Sequence, residues 1–289
     1  MTGPREWGLP RVIAPAASPS TPPAAELLPA PQSQPMQRLR IRTRPLARTS
    51  QPIFNLPPVI AALSAILVLV HVVRAVVDDD TDLQILLWFA FIPARYDSAL
   101  AGNLPLPGGE AADFWTFVTY AFLHGDVTHL IVNLVWFLAF GSAVAWRFGT
   151  LRFIAFFAVT AAAGAGAHLL TNFGDIAPLV GASAAISGAM AAALRFAFED
   201  GGPLGFFRDG GRRTFHVPAA PLSRVLRNPQ VLVFLGVWFF INLAFGLGSL
   251  SEQFSSGGTI AWEAHIGGFL AGLLLFRFFD PDGVQRRED

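Results

Sequence analysis

The feature that most constrains this chain is a series of six apolar segments, each long enough or nearly long enough to cross a bilayer. They run approximately over residues 58–77, 128–147, 153–173, 182–198, 231–247 and 260–279. The hydrocarbon core of a bilayer is about 30 Å thick, which a helix of roughly 20 apolar residues spans. Because 53% of the residues are hydrophobic and 14% are charged, an ordinary soluble domain is excluded. The sequence therefore predicts an all-α polytopic membrane protein with six transmembrane helices.

The first 55 residues differ from the rest of the chain. They are rich in Pro, Ala and Ser and show no apolar periodicity, so they cannot bury enough surface to fold. We predict a disordered tail over 1–55, a six-helix membrane domain over 56–280 and a short tail over 281–289. The amino terminus has no apolar core, so a cleaved signal peptide is not expected. The Arg and Ser content leaves a mitochondrial transit peptide as the minor alternative.

Arginine marks one side of the predicted membrane domain. The tail and the loops after the second, fourth and sixth segments carry Arg38, Arg40, Arg42, Arg44, Arg48, Arg147, Arg152, Arg195, Arg208, Arg212, Arg213, Arg224, Arg227, Arg277, Arg286 and Arg287. The opposite loops carry one, Arg95. Since positive charge accumulates on the cytoplasmic side, we expect both termini in the cytoplasm and the chain in a bacterial inner membrane. With the arginines at membrane edges and a net charge of zero, no nucleic-acid partner is expected.

The loop over 78–127 is too long for a bare connection and is partly apolar. Loops of this length are usually functional or contain secondary structure of their own. A short interfacial helix, with Trp88 and Trp115 near the lipid headgroups, is one interpretation. A loop that is merely anchored at the surface is the other.

Small residues dominate the start of the fourth apolar segment. Ala184, Gly188 and Ala192 recur at i, i+4 spacing, which lets another helix approach closely in lipid. Ser183 lies at the expected helix start, beside unpaired backbone N–H groups and the positive end of the helix dipole. Its hydroxyl can serve helix packing, or it can be a nucleophile whose oxyanion meets ready-made donors.

Two further polar groups lie in or near the apolar layer. His129 and Asn133 are four residues apart and share one face of the second predicted helix. His265 is followed by Gly268 and Gly272 at the spacing of close helix packing, so we expect the sixth helix to pack against the fourth. Polar side chains at this depth normally face a cavity or a partner.

Each of these residues has a structural interpretation when taken alone, as an interhelical hydrogen bond or a packing residue. Together they supply the groups that nucleophilic catalysis needs: a hydroxyl at Ser183, a base at His265 and donors at His129 and Asn133. There is no Cys, so thiolate chemistry is excluded.

Three motifs, in this order, resemble the signature of the rhomboid family of intramembrane serine proteases. They are His129-xxx-Asn133, Gly181-Ala182-Ser183 and Ala264-His265-xx-Gly268. The resemblance covers roughly residues 114–275. It implies a six-helix bundle with cytoplasmic termini, in agreement with the topology expected from the charges.

The resemblance also implies a mechanism. Ser183 would attack the scissile carbonyl of a membrane-anchored protein substrate, and His265 would take its proton and pass it to the leaving amine. The Ser183 backbone N–H and the side chains of His129 and Asn133 would stabilise the oxyanion, each such donor being worth about 3–4 kcal/mol. A Ser–His dyad of this kind uses no metal ion and no cofactor.

The resemblance further implies that Gly181 and Gly268 are supporting residues, which shape the site and let the fourth and sixth helices approach each other. Three positions depart from the family pattern. Ala184 replaces the Gly that often follows the serine, and Ser187 replaces a Tyr that packs on the histidine in some members. A Trp-Arg pair in the first outer loop is absent, and the segment 91–95 occupies that region.

Other polar residues are given mainly structural interpretations. Glu263 lies two residues before His265, and residues at i and i+2 point to different faces of a helix, so a solvated carboxylate is favoured over a triad member. Asp126 is expected to begin the second helix as a cap. His124 matches a family histidine, and a structural role is at least as well supported. The fifth-segment aromatics form either a lateral gate or a lipid-facing surface: Phe234, Trp238, Phe239 and Phe240.

Two rivals to protease function stay open. One is a catalytically inactive rhomboid-like protein that binds membrane helices and controls their trafficking or stability. The other is a small-molecule transporter, which would be expected to show paired intramembrane charges or broken helices in repeated halves. Neither of these transporter features is apparent in the sequence.

Overall fold

The computed structural model describes residues 56–101, 106–205, 211–246 and 261–285. Within these ranges the chain is helical and contains no β-strand, apart from an isolated antiparallel bridge between Phe91 and Leu179. The predicted all-α class is therefore confirmed. The predicted tail over 1–55 lies outside the described residues, as do the last four residues of the predicted C-terminal tail.

Twelve α-helices are present in the described ranges. In chain order they are α1 (Pro58–Val76), α2 (Asp79–Phe89), α3 (Ser98–Ala101), α4 (Gly109–Thr119), α5 (Val127–Trp136), α6 (Ser142–Phe148), α7 (Thr150–Thr171), α8 (Ser183–Ala193), α9 (Leu222–Val225), α10 (Pro229–Gly246), α11 (Trp262–Phe279) and α12 (Pro281–Gln285). A π-helical turn, Phe137–Gly141, joins α5 to α6, so the two form one continuous helix over Val127–Phe148. Short 3₁₀ helices occupy Pro93–Tyr96, Tyr120–Phe122 and Arg212–His216.

Helices occupy all six apolar segments. Three of those described are long and apolar enough to cross a membrane: Pro58–Val76, Val127–Phe148 and Thr150–Thr171. The helix Ser183–Ala193 has 11 residues and is roughly 16 Å long at 1.5 Å per residue. The expected fourth span, 182–198, is therefore helical over a shorter stretch than predicted. The count of six transmembrane spans stays a prediction.

Local sequence explains where several helices begin. Pro58 occupies the first position of α1, where its missing N–H costs no helical hydrogen bond. Asp78 caps α2 by accepting from the Thr81 backbone N–H at 2.9 Å. Asp126 accepts from the His129 backbone N–H at 2.8 Å. The prediction that Asp126 begins the second apolar helix as a cap is therefore confirmed.

The loop over 78–127 has secondary structure of its own, in α2 and α4. The indole rings of Trp88 and Trp115 stack with centroids 6.1 Å apart, and the Trp115 Nε1–H donates to the Trp88 carbonyl. The Arg95 guanidinium donates to the carbonyls of Leu87 and Pro107. Arg95 therefore joins the end of α2 to the segment before α4.

The core of the bundle forms where α7, α8 and α11 contact one another. Glycines allow this contact, since a Cβ atom at Gly268 would strike the Ala184 carbonyl and one at Gly272 would strike the Gly188 carbonyl. On the other side of α8, a Cβ atom at Gly164 would strike the Ala184 methyl group. The expectation that the sixth apolar helix packs against the fourth is therefore confirmed.

A buried ion pair connects the ends of two helices. The Arg147 side chain is fully buried and donates to both carboxylate oxygens of Asp280, at 2.8 and 3.0 Å. It also donates to the carbonyls of Phe215 and Val217, each at 2.8 Å. The charge pattern assigned Arg147 to a loop at the membrane edge. Arg147 can be buried because Asp280, Phe215 and Val217 accept hydrogen bonds from its guanidinium group.

Candidate functional site

The Ser183 hydroxyl and the His265 imidazole are in direct contact. The His265 Nε2 atom lies 2.7 Å from Ser183 Oγ, although the two residues are 82 positions apart in the sequence. Ser183 is the first residue of α8 and His265 is in the first turn of α11. Both residues are partly buried. The distance suits proton transfer between the two groups.

Close packing of α8 on α11 produces this contact. Gly268 lies three residues after His265 on α11 and rests on the backbone of Ala184, the residue after the serine. Because the two helix backbones meet there, the nearby side chains of Ser183 and His265 are held at hydrogen-bond distance. Ala184 departs from the family pattern, and its methyl group is accommodated opposite Gly164 of α7.

Gly181 brings His129 next to Ser183. Its φ of 115° lies in a region that favours glycine. A Cβ atom at this position would lie 2.7 Å from His129 Nε2 and 3.7 Å from Ser183 Oγ. The His129 ring therefore packs directly on the turn that leads into Ser183. The Gly181 N–H donates to the Tyr120 carbonyl at 3.1 Å, which holds the turn in place.

Asn133 is buried one turn further along the same helix. Its Nδ2 group donates to the His129 carbonyl at 2.9 Å, and its Oδ1 atom is buried without a hydrogen-bond partner in the described structure. No hydrogen bond joins Asn133 to Ser183 within the described residues. Of the two predicted side-chain donors, His129 therefore lies beside the turn that leads into Ser183. Asn133 instead makes its side-chain hydrogen bond within its own helix.

The His124 ring packs against the His129 ring. The two rings meet edge-on with centroids 5.1 Å apart, and His124 is fully buried. Burial, followed by the nearby His129 and His71, lowers the pKa of His124 to about 3. The His124 ring is therefore neutral near pH 7 and acts as a packing element of the site.

The remaining sequence candidates lie around the serine without contacting the imidazole. The Ser187 hydroxyl donates to the Ser183 carbonyl at 2.8 Å, so Ser187 supplies a helix bond where some family members have a ring. Glu263 forms no ion pair or hydrogen bond with His265 among the described contacts. The first turn of α8, including Ser183, has backbone N–H groups that no helical carbonyl can reach.

Sequence reasoning missed Asn242. Its Oδ1 atom lies 2.5 Å from His265 Nδ1, and its Nδ2 group donates to the Trp238 carbonyl at 2.7 Å. Asn242 belongs to α10, and 7% of its surface is exposed. A polar residue inside an otherwise apolar segment is the signal that points to it.

Together, these features define an all-helical membrane protein that has a serine–histidine pair at the amino-terminal ends of two contacting helices. A comparison with protein families matches residues 111–279 to the Rhomboid domain. The match covers more than half of the chain, and the chain belongs to the rhomboid family. No curated protein matches it.

Proposed function

We propose that the chain is an intramembrane serine endopeptidase that hydrolyses peptide bonds in or near transmembrane segments of membrane-anchored proteins. The observation that carries the proposal is the 2.7 Å contact between His265 Nε2 and Ser183 Oγ. Members of the rhomboid family are generally intramembrane serine proteases, and this chain retains a hydroxyl and a base in contact. Nucleophilic catalysis requires such a pair.

The chemistry follows from the roles of these two groups. As Ser183 Oγ attacks the scissile carbonyl, its proton passes to His265 Nε2. The imidazolium then donates that proton to the leaving amine, which breaks the C–N bond and leaves an acyl-serine ester. Water attacks the ester with His265 again acting as base, and the second product leaves with the new carboxyl group. The proposed reaction needs neither a metal ion nor a cofactor.

Oxyanion stabilisation falls to donors around the serine. The Ser183 backbone N–H lies at the start of α8, where the helix dipole favours negative charge. The contact of Gly181 with His129 supports a role for the His129 side chain as a second donor. Asn133 is the third proposed donor: one hydrogen of its amide nitrogen is donated to the His129 carbonyl, and the amide has a second hydrogen to donate. Hydrogen bonds of this kind often tighten when substrate binds.

The membrane placement belongs to the same proposal. We propose that both termini face the cytoplasm, as the arginine distribution suggests, and that the chain lies in a bacterial inner membrane. In that arrangement the amino-terminal ends of α8 and α11 face the non-cytoplasmic side. Hydrolysis needs water, and a site at the helix ends meets this need better than one at mid-bilayer. The partners are the lipid bilayer and single-span protein substrates.

The proposal can be tested with the purified full chain in detergent. The measurement is cleavage of a panel of single-span test proteins. We expect cleavage by the wild type, and loss of cleavage in Ser183→Ala and His265→Ala with folding retained. Ser142→Ala is the matched control, because the buried Ser142 hydroxyl has no hydrogen-bond partner among the described residues. Cleavage at the wild-type rate in Ser183→Ala would overturn the assignment.

The rival is a catalytically inactive rhomboid-like protein that binds membrane helices. A serine-directed fluorophosphonate separates the two functions, since it reacts with an activated hydroxyl. Labelling that disappears in Ser183→Ala and His265→Ala supports the protease. A wild-type chain that binds membrane helices but is neither labelled nor proteolytic would establish the rival.

A further inference from the structure

We propose that Asn242 of α10 is a positioning residue for His265, so that the site is a Ser–His–Asn arrangement. The inference deepens the proposed function and depends on it for its catalytic meaning. The three side chains form one chain of hydrogen bonds, from Ser183 to His265 to Asn242 and on to the Trp238 carbonyl. His265 thereby has a partner at each ring nitrogen.

The Trp238 carbonyl determines which way the Asn242 amide faces. A carbonyl oxygen can only accept a hydrogen bond, so the group that lies 2.7 Å from it must be the Asn242 amide nitrogen. The opposite amide orientation would place two oxygens against each other. The Asn242 Oδ1 atom is therefore the atom directed at His265, at 2.5 Å.

That orientation selects the tautomer of His265. Since Asn242 Oδ1 accepts, His265 Nδ1 must carry the hydrogen. The neutral ring then has a free lone pair at Nε2, the atom that faces the Ser183 hydroxyl. This is the tautomer that a general base requires. The bond to Asn242 also persists when Nε2 is protonated, because Nδ1 is a donor in both forms.

An asparagine can fill this role where its amide is held as an acceptor. Cysteine proteases of the papain type use a Cys-His-Asn set, which shows that a neutral amide can orient a catalytic imidazole. Here the serine and histidine come from α8 and α11, and the asparagine comes from α10. Displacement of α10 from α11 would break the bond and release the imidazole.

A purely structural interpretation of Asn242 makes a different prediction. In lipid, an Asn–His bond can simply hold two helices together, and its loss would then reduce stability alone. Trp238 and Phe269 also join α10 to α11, with ring centroids 5.0 Å apart. Phe269→Leu is therefore a matched control, which weakens the same helix contact without touching the hydrogen bond.

The kinetic test compares Asn242→Leu, Asn242→Asp and Phe269→Leu in the full chain. We expect Asn242→Leu, which removes the acceptor at similar volume, to lower kcat for a single-span substrate at least tenfold with KM within twofold. Asn242→Asp restores an acceptor and should recover part of the loss. Phe269→Leu should lower the melting temperature while kcat stays within twofold. Equal kcat in Asn242→Leu and wild type would overturn the proposal.

The spectroscopic test does not depend on activity. In ¹⁵N-histidine-labelled protein, with the His265 signal assigned by its loss in His265→Gln, we expect hydrogen on Nδ1 and a bare Nε2. In Asn242→Leu the signal should shift toward a mixture of the two tautomers. Hydrogen on Nε2 in the wild type would overturn the proposal even if the protein cleaves. If the wild type fails to cleave but shows the expected tautomer, the proposed function fails and the positioning of His265 stands.

Discussion

The carbonyl of Ala184 lies in the space that a side chain at Gly268 would need. This contact joins α8 to α11 one residue after Ser183 and three residues after His265. The distance between Ser183 Oγ and His265 Nε2 is thus a product of backbone packing and does not depend on long, adjustable side chains. Interfaces of small residues suit this purpose in a membrane, where van der Waals packing drives helix association.

The first prediction concerns that contact. Gly268→Ala should push α11 away from α8, lengthen the Ser183–His265 contact and reduce cleavage at least tenfold. Gly236→Ala on α10 is the matched control, because an added Cβ meets nothing within 4 Å there and should be neutral or stabilising by about 0.4–1 kcal/mol. Cleavage assays and thermal unfolding in detergent measure both effects. Equal activity in the two variants would contradict the packing explanation.

The second prediction concerns the turn before Ser183. Gly181→Ala adds backbone strain of about 1–3 kcal/mol at a positive φ and also places a methyl group against His129. We expect a loss of both stability and cleavage. Gly149 has a φ of 74° and open space around its α-carbon, so Gly149→Ala carries the strain without the clash. A comparable loss of cleavage in Gly149→Ala would show that strain alone explains the effect.

The third prediction concerns the buried ion pair. Asp280→Asn removes the nearest carboxylate from the fully buried Arg147 and leaves only Asp282, whose Oδ2 atom lies 3.5 Å from Arg147 Nη2; it should lower the free energy of unfolding by about 3–5 kcal/mol. Glu199→Gln breaks the exposed pair with Arg224, which is 3.5 Å long, and should cost about 0–1 kcal/mol. Chemical unfolding in mixed micelles compares the two. Similar losses would indicate that Asp282 and the Phe215 and Val217 carbonyls are enough to satisfy Arg147.

The fourth prediction concerns pH. The pKa of His124 is lowered from 6.5 to about 3 in the folded protein. Between these two pH values, His124 is therefore protonated in the unfolded chain and neutral in the folded protein. Stability contributed by His124 is therefore present above pH 6.5 and falls as pH decreases toward 3. The slope from this group is at most about 1.4 kcal/mol per pH unit. His124→Phe should flatten the dependence measured by unfolding at pH 4.5–7.5, and an unchanged slope would refute the assignment.

Much of the fold could be predicted because it depends on local sequence. The length of an apolar run determines whether a helix can lie in lipid, and caps such as Asp126 mark where it begins. The shortness of the helix at Ser183 was not predicted. Its apolar run continues past residue 193, but the backbone there forms turns, in which the Ala197 and Glu199 carbonyls accept from the Leu204 and Gly202 N–H groups. Hydropathy does not register such turns.

The candidate site was predicted in part. Ser183, His265 and His129 attract notice because hydroxyl and imidazole groups are rare among apolar residues, and the structure brings these three together. Asn133 was expected beside them, and its amide bonds within its own helix instead. Asn242 carried the same signal of a polar residue in an apolar segment, yet nothing in its neighbourhood indicated a histidine 23 residues away.

By itself, the sequence determined the membrane character of the chain, its helices, its family and the residue types available for chemistry, because these follow from hydropathy and short motifs. The tertiary structure alone decided that Arg147 pairs with Asp280, 133 residues away, and that Asn242 bonds to His265. The reason is geometric. Which polar groups meet depends on the rotation and spacing of helices, and contacts between distant glycines and carbonyls set both.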